Sequence, residues 1–376
     1  MIPIAALGRL PSTSRRPEGR HLSFIVALRA CAALIILWHH FASYPPLRDW
    51  AAPLIGDILD WFEHYARATQ VFFVVGGYVL ARSMSAREWR LRHVGIFAMQ
   101  RYFRLGIPYL ATIAVILPVY GFARGWVPDD VLGKPVTLPQ LLAHLFFLQD
   151  LFGYEPLSAG LWFVCINFQL GLVYATMLWL RDRLGGGVID YVGLLGWPLA
   201  IASLFYVNLD PAAESWWLYF FPHFFLGVVI HRALAAGRAH WEFWMFQALI
   251  ALALYYEWRW RLGIAMAVGL LLFAAEKLEF GAHWPRNRVI AKLGQISYSL
   301  FLIHFPVLVA VSALWARLGW VSSTAAVAGL GVAFVLSIAA AFVFYRWVEM
   351  PASHMKRSVE PALRGKRLSM ATQRSD

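Results

Sequence analysis

Charge is scarce in this chain, and acidic charge scarcest. Among 376 residues there are 21 Asp and Glu against 33 Lys and Arg; charged residues make up 14% and hydrophobic ones 60%. Soluble domains are usually about half apolar and about a quarter charged, so a water-solvated globule is excluded and the bilayer is the expected solvent. Cysteine is nearly absent. Cys31 and Cys165 both fall inside apolar runs, where a thiol serves as a small buried hydrophobe. Neither a disulfide framework nor a zinc site is expected, and no metal is called for. The net charge of +12 raises the question of nucleic acid. Its basic residues alternate with apolar runs and form no basic domain, so no nucleic-acid partner is expected.

What the chain has instead is long apolar runs, and bilayer-spanning helices need about 20 such residues. Hydropathy predicts an all-α, polytopic transmembrane bundle of about ten spans: Phe24 to Phe41, Ala68 to Ser83, Leu105 to Phe122, Ser158 to Leu180, Val188 to Val207, Ser215 to Ile230, Phe243 to Trp258, Leu262 to Glu276, Leu293 to Trp315 and Val321 to Phe344. The shorter stretch Leu138 to Leu151 reads as a re-entrant or interfacial segment, because its length falls short of a span. Leaving it unspanned puts most arginines on one side, as the positive-inside rule requires. That side holds Arg9, Arg15, Arg16 and Arg20, the loop with Arg82, Arg87, Arg90, Arg92, Arg101 and Arg104, then Arg181 with Arg183, Arg232 with Arg238, Arg286 with Arg288, and the tail from Lys356 to Arg374. Arg259, Arg261 and Arg317 are the exceptions, in short turns on the other side.

This pattern predicts that both termini are cytosolic, and a bacterial inner membrane is the expected location. Residues 1–23 read as a cytosolic leader, since they lack the apolar core and cleavage pattern of a signal peptide. Residues 24–349 form the membrane domain. Residues 350–376 form a basic cytosolic tail that orients the chain and is drawn to anionic lipid. There is no internal repeat, and nothing in the sequence sets an oligomeric state.

Ionisable residues inside spans are costly and usually face a cavity or a partner. The first span carries Arg29 and His40, eleven positions and three helical turns apart, so both project from nearly one face about 16 Å from each other. Arg29 can serve a ligand or snorkel to the interface; His39 points away from His40 and reads as a packing residue. His223, beside Pro222, reads as a satisfied polar residue. His64, His144, Tyr154 and Glu155 are candidates for lining an outer entrance.

Several blocks then occur in a recognisable order. Arg29, Ala32, Ala33 and His40 fit an Arg-Gly-x-Ala-Ala pattern with a His eleven positions after the Arg, with Ala30 at the Gly position. Val71-Phe72-Phe73-Val74-Val75-Gly76-Gly77-Tyr78 carries small residues that permit close helix approach. Arg101-Tyr102-Phe103-Arg104-Leu105 is followed by Pro108 and Tyr109. Leu161-Trp162 precedes Asn167 and Gln169. Gly294-Gln295-Ile296-Ser297-Tyr298-Ser299-Leu300-Phe301-Leu302-Ile303-His304-Phe305-Pro306 and Glu349-Met350-Pro351 complete the set.

Together these resemble the integral-membrane acyltransferase family 3, across roughly Ser23 to Pro351. Asn167 departs from it, standing where the family usually has Glu.

The resemblance implies transfer of an acyl group, commonly acetyl, from cytosolic acyl-CoA to a hydroxyl of a glycan or other acceptor. Coenzyme A is a polyanion, which suits fixed guanidinium groups. Arg101 and Arg104, three apart at a helix start, share a face and with Arg29 are the candidate acyl-CoA clamp. His40 is the candidate catalytic residue, either as general base or as an acyl carrier. Ser297, Tyr298, His304, Asn167, Trp162 and Glu349 are pocket candidates. Tyr298 and His304 fit equally as hydrogen-bond donors to a ligand or as ties between helices, and Glu349 is expected to pair with Arg346 or another arginine. A lipid-linked glycan flippase or small-molecule exporter is the alternative from another class, since charges in spans also mark transport paths; a catalytically dead scaffold is a third.

Overall fold

The computed structural model describes residues 22–85, 88–184, 190–235, 240–278 and 287–355, and these are helical with no strand among them. The order is α1 (Leu22–Ser43), α2 (Leu47–Tyr65), α3 (Thr69–Met84), α4 (Leu91–Ala123), α5 (Asp129–Leu132), α6 (Leu138–Leu145), α7 (Leu161–Leu184), α8 (Tyr191–Phe205), α9 (Trp217–Leu234), α10 (Trp241–Tyr256), α11 (Trp260–Lys277), α12 (Arg288–Gln295), α13 (Ser297–Arg317) and α14 (Ser323–Phe344), the last running into a π-helical turn, Tyr345–Glu349. Seven of these segments are long and apolar enough to cross a membrane. Of the ten expected spans, α3, α10 and α11 fall outside those seven; all three pack into the same bundle, against α9. The protein is a multi-pass membrane protein. Residues 1–21 of the leader and 356–376 of the tail, with Arg87, Arg238 and Arg286, lie outside the described residues.

Three expectations change. Residues 47–65 form a helix that hydropathy did not signal, because Asp49, Asp57, Asp60 and Glu63 interrupt its apolar positions. Arg48 offsets that charge by reaching Asp60 at 2.7 Å and Glu63 at 3.4 Å. The expected span Leu293 to Trp315 is broken at Ile296 into α12 and α13, and Ser297 Oγ caps the break by donating to the Gly294 carbonyl at 2.9 Å. Cys31 is exposed on α1 while Cys165 is buried; in a bilayer an apolar run has a lipid-facing side, so an apolar setting did not require Cys31 to be inside the protein.

The residues 138–152 dip into the bundle. Tyr102 OH donates to the Leu145 carbonyl at 2.7 Å, and Phe147 packs edge-on against Tyr109. Ala143, His144, Phe147 and Gln149 are buried against the bundle while Leu138, Leu142, Phe146, Leu151 and Phe152 stay exposed, so the segment packs one face inward. The chain after it is tied at Leu157, whose carbonyl accepts from Tyr120 OH at 2.9 Å.

Van der Waals packing at small residues holds such bundles together. Here α3 and α9 cross where Gly77 lies against the Phe224 backbone and Gly227 against the Val74 carbonyl, leaving no room for a side chain at either. Gly294 likewise seats α12 on the Val26 backbone of α1. These contacts fix α1, α3, α9 and α13 around the polar residues described next.

Candidate active site

The polar residues of α1 lie along one seam, with α13 at its His40 end and Arg104 and Glu349 at its Arg29 end. Near the α1 end, His40 Nδ1 lies 2.6 Å from His304 Nε2, with the two rings nearly parallel at 5.0 Å. His304 Nδ1 lies 2.9 Å from the Leu300 carbonyl. A carbonyl only accepts, so His304 Nδ1 carries the hydrogen and its Nε2 presents a lone pair. That lone pair must then accept from His40 Nδ1–H, which leaves the lone pair of His40 on Nε2. The tautomer of the dyad follows from one backbone oxygen. His304 is buried and His40 half-buried, with Tyr44 and Phe305 packed beside His40 at ring distances of 5.8 and 6.5 Å.

Lower on the same seam Arg29 faces Glu349 and Arg104, whose charges both act on it. Glu349 Oε2 accepts from Ser299 Oγ at 2.5 Å, and Tyr298 OH donates to the Leu105 carbonyl at 2.9 Å, tying α13 to α4. Arg101 completes the group: its Nη2 donates to the Asn167 carbonyl at 2.8 Å and to Asn167 Oδ1 at 3.1 Å, and its guanidinium sits over Phe97 at 5.7 Å. Gly171 makes room for it, since a Cβ there would meet the guanidinium carbon at 2.8 Å. Arg101 Nε is buried with no protein partner. Arg104 is exposed, and its charge also acts on Arg101. Arg29 and Arg104 thus act on the Glu349 carboxylate, with Arg101 beside Arg104, at the opposite end of the seam from the histidines.

A family model described as an acyltransferase domain matches residues 22–346. The chain belongs to this acyltransferase family. Comparisons with curated proteins and with solved structures gave no match. The matched region contains α1 and α13, hence both ends of the seam.

The acyltransferase brings some expected residues together and leaves others apart. Arg29, Arg101, Arg104, Tyr298 and Glu349 share one end of the seam, and His40 and His304 the other. Asn167 belongs with Arg101, as a neutral partner where a carboxylate would have made an ion pair. Ser297 does not belong to the site, because its hydroxyl is consumed by the helix break; Ser299, two residues on, supplies the hydroxyl at Glu349. Arg346 is not the partner of Glu349: its Nη1 contacts Met350 Sδ at 3.8 Å. Trp162 stands away from the histidines, its ring tilted against Phe220 at 5.3 Å.

His39 is tied to the Phe62 carbonyl at 3.2 Å. His144 is buried inside the 138–152 segment, bonded to the Gln140 carbonyl at 2.9 Å and accepting from Leu157 N at 3.3 Å, so it lines no entrance. His64 caps its own helix at the Asp60 carbonyl. Glu155 does line a surface groove, with Arg124, Asp129, Asp130 and Lys134. His223 is 1% exposed and no side chain reaches either ring nitrogen, the Phe220 backbone being the one protein group that acts on it as a hydrogen-bond partner.

Sequence reading missed Ser299, Tyr44 and Phe305. For Ser299 only the break at Ile296 decides the matter: it spends the Ser297 hydroxyl on the Gly294 carbonyl and leaves that of Ser299 to reach Glu349.

Proposed function

We propose that this acyltransferase moves an acyl group, acetyl by family resemblance, from cytosolic acyl-CoA to a hydroxyl of a carbohydrate or related acceptor on the far side of the inner membrane, with both termini cytosolic. The observation that carries the reading is the α1 seam, with three arginines at one end and a tautomer-fixed histidine dyad at the other. Arg29, Arg101 and Arg104 hold the donor's phosphates through charge-assisted hydrogen bonds, and the pantetheine arm extends along the seam toward His40.

At that end His40 Nε2 takes the proton of the acceptor hydroxyl while its oxygen attacks the thioester carbonyl. Collapse of the tetrahedral species breaks the carbon–sulfur bond. The thiolate leaves and takes the proton from His40, giving an ester and free coenzyme A. His304, whose Nε2 accepts the His40 Nδ1–H bond, holds the ring in the productive tautomer throughout.

Asn167 has a specific part in this reading. A neutral amide leaves the Arg101 charge available to the donor. Asn167→Glu adds a carboxylate beside that guanidinium and is expected to weaken acetyl-CoA binding about tenfold, the effect of about 1.4 kcal/mol. Titration calorimetry on the purified variant checks this, and unchanged affinity removes Arg101 from the clamp.

The test of the reaction itself is incubation of the purified protein in nanodiscs with radiolabelled acetyl-CoA and glycan extracted from the producing cells and de-acylated with mild alkali. Label on the glycan is the expected result. Movement of glycan across sealed vesicles with no label attached would favour a flippase or exporter instead.

A further inference from the structure

The reversed-sign arginines of the sequence, Arg259 and Arg261, separate in the structure. Arg259 is consumed by the fold, its Nη1 donating to the Leu204 carbonyl and Asn208 Oδ1 at 2.9 Å each and its Nη2 to the Ala253 carbonyl at 3.1 Å. Arg261 engages the protein through Nη1, which meets Glu214 Oε1 at 2.6 Å and Tyr219 OH at 3.4 Å. Its guanidinium lies over the Tyr219 and Phe220 rings at 5.9 and 6.0 Å, and its side chain keeps 23% of its surface in the open.

The half-buried Trp162 packs at a tilt against the same Phe220. His223 follows one turn below Phe220 on α9, with ring centroids 5.9 Å apart, and Arg261 is the first charge that acts on it. A neutral imidazole offers one donor and one acceptor. Leaving such buried groups unsatisfied costs about 1–3 kcal/mol each, so this position is costly unless something not of the protein completes it.

We infer that Trp162, Tyr219, Arg261, Glu214 and His223 form a binding subsite for one sugar ring of the acceptor, set apart from the reacting hydroxyl. The inference rests on the acceptor half of the function proposed above. A sugar ring presents a C–H face that packs on an aromatic plane and hydroxyls that both donate and accept. Those hydroxyls suit Glu214 as acceptor, Arg261 as donor and His223 as either. The subsite sits where α7, α9 and α11 begin, and aromatic rings join it to the dyad: Trp162 to Phe163 at 6.2 Å, Phe163 to Phe301 at 5.1 Å and Phe301 to His304 at 6.3 Å. The acceptor that uses both places is longer than a single ring.

The probe is the de-acylated glycan of the producing cells, intact and hydrolysed to single sugars, titrated by saturation-transfer NMR onto the full-length protein in nanodiscs. The intact glycan binds the native protein more tightly than its single sugars. Trp162→Ala and Arg261→Gln each weaken intact-glycan binding at least tenfold with acetyl-CoA affinity unchanged. His223→Phe loses glycan affinity equally while melting at the same or a higher temperature, because a buried imidazole with no side-chain partner is gone; a merely structural histidine would not separate those readouts. Native-like glycan binding by Arg261→Gln and His223→Phe overturns the subsite, as does a native protein that binds single sugars as well as the intact glycan. Failure of the acyl-transfer reading registers separately, as absence of acetyl-CoA binding.

Discussion

Substitution of His40 by Ala is expected to lower acyl transfer by about 10²–10⁴-fold, the usual range for loss of a positioned acid–base group, with acetyl-CoA affinity unchanged. The donor's phosphates are held some three helical turns away, so binding and chemistry separate along the same helix. The rate of the native protein falls on the acid side, because a protonated His40 has no lone pair with which to take the hydroxyl proton. His304 acts through His40 and is a positioning residue. His304→Phe removes the acceptor for His40 Nδ1–H and frees the other tautomer, which places the hydrogen on Nε2 and blocks it as a base. His304→Gln keeps an acceptor within reach and is expected to restore part of the rate lost in His304→Phe. A single-turnover assay across pH distinguishes these cases. Equal rates for His304→Phe and the native protein would show that the dyad does not set the tautomer.

Arg104→Glu is expected to reduce acetyl-CoA affinity by about 10- to 100-fold, the loss of one charged hydrogen bond of about 1.5–3 kcal/mol. Arg104 is exposed, so the fold tolerates the change and thermal stability stays near the native value. Because the contact is solvent-facing, the native affinity also declines as salt is raised, and the decline is shallower in Arg104→Glu. Calorimetry at several ionic strengths measures both. A native affinity that is independent of salt would place the donor somewhere other than among these arginines.

How much of this was legible in the sequence follows from what each signal depends on. Long apolar runs and arginine placement depend only on local composition, and they gave the helical bundle. The three-turn spacing of Arg29 and His40 predicted a common face; His40 meets His304 of α13, while Arg29 meets the charges of Arg104 and Glu349. Partners were harder, because hydropathy carries no information about which helices touch. The meeting of His40 with His304 joins residues 264 positions apart and needed coordinates. The helix α2 was hidden by its own ion pairs, and the seating of residues 138–152 depends on Tyr102 and Tyr109, neither of which lies within them. A histidine in an apolar run is normally satisfied by a neighbour, and for His223 only the three-dimensional packing reveals that no side chain reaches it.

The central claim is that one donor molecule spans the seam from the arginines to the histidines. An experimental structure with a non-transferable acetyl-CoA thioether analogue tests it most directly. The account predicts phosphate density against Arg29, Arg101 and Arg104, with the analogue's sulfur beside His40 Nε2 in the same molecule. Phosphates bound elsewhere, or an arm directed away from α1, would contradict it.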